Sequence, residues 1–187
     1  ISYEMEEYDQ ELDQMLFHLP LAGSSFKKVY YESAKDRAVS KFVPAEDVVI
    51  PYTTTDMESC ERITHVVRMM GNELRKKQIN GMYRDVDISP SSVDNNDAED
   101  KYNELDGLTE TQNAEDIVLL EFHCDLDIPG FEDKNVTTGE VTGIKLPYVV
   151  TVDEGTNKVL SIYRNYREGD PLKKKVQYFV HYKFLPG

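Results

Sequence analysis

Apolar side chains recur along the first twenty residues at spacings of three and four: Met5, Tyr8, Leu12, Met15, Leu16 and Leu19. That spacing puts them on one stripe of a helix, and we expect an amphipathic helix from Ser2 to Leu19. Glu4, Glu6, Glu7, Asp9, Glu11 and Asp13 make its remaining surface acidic, and early carboxylates suit the positive end of a helix dipole. Pro20 and Gly23 are the expected stop. From Phe26 the pattern changes to short runs rich in Val, Phe, Tyr and Ile: FKKVYYE (26–32), AVSKFV (38–43) and EDVVIPY (46–52). Ser, Asp and Pro separate them, so a small antiparallel meander is expected.

Arg62 to Met69 is rich in β-formers and reads as extended, with helix as the competing assignment. Asn72 to Ile79 consists of good helix formers and ends at Asn80-Gly81, so a short helix is expected there. Between Ser89 and Asp116 acids, Asn, Ser and Thr dominate. Only Val93, Tyr102, Leu105, Leu108 and alanines are available to bury, so this stretch is expected to be an acidic, mobile loop.

The last third carries the clearest pattern. Ile117 to Leu126 reads as a mainly buried strand, and Tyr148 to Val152 with Lys158 to Tyr163 flank the turn Asp153-Glu154-Gly155-Thr156-Asn157 as a hairpin. Val176 to Phe184 is one more strand after Gly169-Asp170-Pro171, so the end of the chain is expected to be an antiparallel sheet. Together these elements make an α+β fold.

Composition narrows this picture. At 187 residues the chain has the length of one ordinary domain, and with 40% hydrophobic residues it can build a core. A single α+β unit over 1–187 is the expectation. No window approaches a membrane-spanning run, and no basic, hydrophobic leader precedes the first helix. The chain begins with Ile1 and stops just after an apolar run, as an internal segment of a longer protein does. Its net charge of -14 repels phosphate backbones, which disfavours sequence-independent nucleic-acid binding. Lys173, Lys174 and Lys175 form a local basic run, the kind that keeps a strand edge solvated.

Chemistry-bearing motifs are scarce. There is no glycine-rich phosphate loop, no G-x-S-x-G elbow and no H-E-x-x-H helix. Calcium-loop spacing fails twice: from Asp85, Pro90 and Asn96 sit where glycine and a bidentate carboxylate are needed, and from Asp125, Pro129 and Val136 fail. Cys60, His65, His123 and Cys124 lack the paired spacing of a zinc site, and neighbours on a strand point to opposite faces. We expect reduced cysteines, a buried Cys124 and a hydrogen-bonded His123. His18, His65, His123 and His181 sit in apolar contexts, and Cys124 has no cation beside it in sequence to activate a thiolate. No catalytic residue, metal ligand or cofactor is assigned.

Tyr148, Tyr163, Tyr166, Tyr178, Phe179, Tyr182 and Phe184 cluster near the end beside Arg164, Arg167 and Lys183. Tyr and Arg are enriched at protein interfaces, whereas Tyr and Phe also simply favour strands. Tyr163, Arg164, Tyr166 and Arg167 are the candidate subunit-interface residues.

The stretches ERITHVVRMMGNELRKKQINGMYRD (61–85), LLEFHCDLDIPGFED (119–133) and LPYVVTVDEGTNKVLSIYRNYREGDPLKKKVQYFVHYKFLPG (146–187) resemble bacteriophage portal proteins of the short-tailed-phage type. FVPAEDVVIPYTTTDMESCERITH (42–65) extends the resemblance, which spans just over half of the chain; the first helix and the acidic stretch 89–116 match poorly. The resemblance implies a dodecameric ring at one vertex of the virion capsid, assembled in the host cytoplasm, through which DNA is packaged and ejected, and no enzymatic activity. It implies as partners copies of the same chain and, for the whole protein, terminase, scaffolding, capsid and tail-adaptor proteins. It places this segment in the strand-containing wing, where DNA passes by without binding. The acidic first helix and the basic residues Arg164, Arg167 and Lys173 to Lys175 are a candidate subunit contact by charge. On the residues alone two other classes stay open: a metal-dependent hydrolase using clustered Asp and Glu with Mg²⁺ or Mn²⁺, and a calcium-stabilised β-rich binding module.

Overall fold

The computed structural model describes residues 7–32, 36–54, 56–88, 116–135 and 137–184. It is an α+β fold with helices α1 (Tyr8–Ala22) and α2 (Gly71–Ile79). Its strands are β1 (Ser24–Glu32), β2 (Arg37–Pro44), β3 (Val48–Val49), β4 (Arg62–Met70), β5 (Asp116–Leu126), β6 (Leu146–Asp153), β7 (Val159–Arg164) and β8 (Phe179–Lys183). They form a three-stranded sheet in the order β2-β1-β8 and a five-stranded sheet in the order β3-β4-β5-β6-β7. The chain divides into two compact units, residues 1–64 with 165–187 and residues 65–164. Each buries its own cluster of apolar side chains. The expected acidic loop 89–116 falls, apart from Asp116 at the start of β5, outside the described residues.

In the first unit, β1 and β2 form an antiparallel hairpin with Phe26 opposite Val43 and Lys27 opposite Phe42. The third run of the expected meander supplies only the two residues of β3, and these join the other sheet. The last strand likewise does not extend the β6–β7 hairpin; β8 pairs with β1, Phe26 standing opposite His181. Because side chains alternate across a strand, the register sorts the sheet into two faces. On one, Phe26, Val43 and Phe179 pack with Val48, Cys60 and Ile63 as a core. The other carries Lys27 and Phe42 and receives α1: the His18 ring stacks on Phe42 at 5.2 Å, and Glu11 Oε2 accepts the Phe42 N–H at 2.6 Å. β2 is a sheet edge, so this carboxylate occupies a donor that no neighbouring strand can use.

The helix departs from its expected bounds at the C-terminal end. Pro20 lies inside α1, where the last turn loses only the one hydrogen bond that its missing N–H would have made. Gly23 ends the helix instead, at φ 71° with its N–H bonded to Leu19 O, a conformation that lacks a steric cost only for glycine. The buried stripe is also narrower than the periodicity suggested. Met15 is buried, Tyr8, Leu12 and Leu19 are half-buried, and Leu16 is exposed.

In the second unit, α2 buries Leu74 and Gln78, one turn apart. Leu74, Met69, Ile117, Leu119 and Leu160 form its core, bordered by Val67, Tyr83, Val86 and Ile88. β5 pairs antiparallel with β6 from Leu119 opposite Asp153 to Leu126 opposite Leu146, and β6 pairs with β7 across a bulge at Thr151 and Val152. The turn between β6 and β7 is held by Asp153, whose carboxylate accepts the Thr156 N–H at 2.7 Å. No helix among the described residues is long and apolar enough to cross a membrane.

Candidate interaction surfaces and buried polar groups

The four residues singled out by composition are divided between the units. Tyr163 and Arg164 end β7, an edge strand of the second unit, and both are exposed. The Tyr163 hydroxyl donates to Met82 O, which ties the edge strand to the segment after α2. Tyr166 and Arg167 open the return into the first unit. Tyr166 is half-buried and forms an isolated β-bridge with Lys175; Arg167 is exposed. The basic run follows at a tight turn. Asp170 accepts the backbone N–H groups of Leu172 and Lys174, each at 3.0 Å, and Lys173 takes a left-handed φ of 46°. Leu172 is left 71% exposed and Lys174 is exposed beside it.

On α1 the exposed side shows a feature the sequence reading did not mark. Asp9, Asp13, Phe17 and Leu21 follow one another at spacings of four and therefore share one line along the helix. Phe17 is 70% and Leu21 74% exposed, with Leu16 alongside. The helix is thus apolar on two sides, one turned to the sheet and one outward. The signal was present in Phe17 and Leu21 themselves, which fall off the stripe defined by Leu12, Met15 and Leu19.

Lys27 is a second unexpected feature. It lies on the α1 side of the sheet, 3% exposed, with its ammonium 4.3 Å from the centre of the Tyr8 ring. Nζ has no hydrogen-bond partner among the described residues. Burial holds its pKa below the usual lysine range, against the opposing pull of Glu11. On the other face, His181 stacks on Phe26 at 4.6 Å and shares a 2.7 Å hydrogen bond with Ser24 Oγ. Burial and then Lys183 lower its pKa.

The second unit gathers polar groups beneath α2 and the segment after it. His123 Nε2 lies 2.6 Å from Glu121 Oε1, both side chains largely buried, and Glu121 stands opposite Thr151 in the β5–β6 register. Burial, reinforced by Glu121, pushes the Tyr83 hydroxyl well above the ordinary tyrosine range, with a hydrogen bond to Thr151 acting the other way. Gln78 Nε2 donates to Arg84 O at 3.2 Å and Val86 O at 2.8 Å, which fastens segment 84–86 to the helix. A cleft of about 380 Å³ adjoins them, walled by Leu74, Val86, Ile88 and Ile117. Of its polar lining, Arg75 binds Asp85 and donates to Gln78 Oε1 at 3.1 Å. These groups dock one segment on another rather than converge on open space.

The cysteines are free, as expected, but Cys124 is only half-buried where burial was expected; Cys60 is the buried one. Cys60 sits in the core facing Phe26, where its Sγ donates to Arg62 O at 3.0 Å. Cys124 lies on the face of β5 opposite His123. Among the described residues no three His, Cys, Asp or Glu side chains gather as a metal ion requires. A scan against protein-family models and a search of curated proteins found no match.

Proposed function

We propose that this chain is a structural segment from the wing of a ring-forming portal protein of the short-tailed-phage type, positioned at the capsid vertex through which DNA enters and leaves. The sequence resemblance over 42–85, 119–133 and 146–187 carries the reading. Those blocks contain β3, β4 and α2, most of β5, and the run from β6 to β8, so the resemblance follows the folded framework rather than a single motif. Two physical features support it. A net charge of -14 suits a surface past which DNA moves without being gripped. Exposed apolar side chains on α1, β7 and β8, including Phe17, Ile162 and Val180, suit a protein that works among neighbours. In this reading the whole protein meets its own copies first, then terminase, scaffolding, capsid and tail-adaptor proteins.

The test uses the full-length product of the gene that encodes this chain. Purified and examined by negative-stain electron microscopy and native mass spectrometry, it is expected to form closed rings, dodecameric in the main. A product that stays monomeric over a wide concentration range refutes the proposal.

A further inference from the structure

We propose that the first unit carries two complementary faces through which one copy docks head-to-tail on a second copy; this rests on the ring-forming reading above and specifies its contact. The register of the three-stranded sheet supplies the geometry. α1 lies on the face carrying Lys27 and Phe42. The loop after β7 is fastened on the opposite face: Lys175 Nζ donates to Cys60 O, Gln177 Nε2 donates to Met57 O at 3.3 Å, and Tyr178 packs on the core built around Phe26. Two different surfaces on opposite sides of one unit are what a heterologous, repeating contact needs.

Their chemistry matches. The exposed line of α1 runs from Asp9 and Asp13 to Phe17 and Leu21, so it is acidic in its first half and apolar in its second. Beyond that fastened base the loop presents exposed Leu172 next to exposed Lys174, with Arg167 also exposed. Two acids lie on this loop: Asp170 faces the loop's own backbone through its two N–H bonds, while Glu168 is exposed beside Arg167, so the loop's exposed positive surplus comes from Lys174. With Leu172 of one copy against Phe17 and Leu21 of the next, Lys174 and Arg167 come toward Asp9 and Asp13. The contact thus buries an apolar centre inside a rim of opposite charges. The occupant of the helix face is a second copy because the same chain supplies both the surface and its charge complement.

The test is charge exchange in the full-length protein. D9K/D13K and R167E/K174E each set like charges against one another and are expected to raise the concentration needed for ring formation by roughly tenfold or more. Combining all four substitutions restores opposite charges and is expected to restore assembly. A separate variant, Phe17→Cys with Leu172→Cys, is expected to give a ladder of disulfide-linked multimers on mild oxidation of the ring. Rings that form equally well in every charge variant, impairment without rescue by the combination, or rings that yield no cross-link overturn this contact and leave the portal reading standing. A full-length protein that never assembles overturns both.

Discussion

Lys27→Met removes one buried charge while keeping the length of the side chain. Lys27 is 3% exposed and its ammonium meets no hydrogen-bond acceptor among the described residues. A buried donor left unsatisfied costs about 1–3 kcal/mol. The Tyr8 ring, 4.3 Å away, offsets this by about 0.5–2 kcal/mol through the attraction between a cation and an aromatic face. Glu11 does not make up the difference, since burial outweighs its attraction and holds the pKa down. Lys27→Met is therefore expected to stabilise the protein by about 1 kcal/mol at neutral pH, or roughly 2–4 °C in melting temperature for a chain of this length. The sign of the pH dependence follows from the same shift. With the folded pKa below the unfolded value of 10.5, the unfolded chain holds more protons between the two, so the parent protein gains stability as pH rises toward 10.5. The advantage of the methionine variant should shrink over that range. Urea denaturation followed by circular dichroism at neutral and alkaline pH measures both effects. A destabilised variant, or an advantage that does not change with pH, refutes the reasoning.

Two further substitutions probe the polar groups that hold segments in place. Gln78→Leu strips the donor from Arg84 O and Val86 O and is expected to cost about 1–3 kcal/mol, with faster protease cleavage within residues 81–88; unchanged cleavage rules out the bracing role. His181→Gln removes a ring whose folded pKa lies below 6.5, so the parent should lose stability as pH falls below 6.5 and the variant should lose less. Parallel stability profiles from neutral to mildly acidic pH would show that His181 is not the group responsible.

Strand and helix positions were legible wherever the hydrophobic period was clean. The run 62–69, the helix 72–79, the strand 117–126 and the hairpin around 153–157 all reappear as β4, α2, β5 and β6–β7 within a few residues. Less of the surface could be seen. Tyr163, Arg164 and Arg167 are exposed, Tyr166 is half-buried, and the four are split between two units. The outward stripe of α1 and the buried ammonium of Lys27 went unmarked. A helical period shows that a face is apolar, not whether anything covers it, and Lys27 sits in a strand where alternation makes lysine look solvated.

Local pattern therefore determined the class of this protein and the placement of most of its elements, because each depends on neighbours a few residues apart, and composition alone set its strongly acidic character. Pairing did not follow from that pattern. A period of two tells which side chains share a face but carries no address for the partner strand, so β8 was free to leave the hairpin before it and close on β1, and β3 to join β4. Only long-range packing settled those choices. By returning the last residues to the first strand it joined the two ends of the described chain in one compact unit.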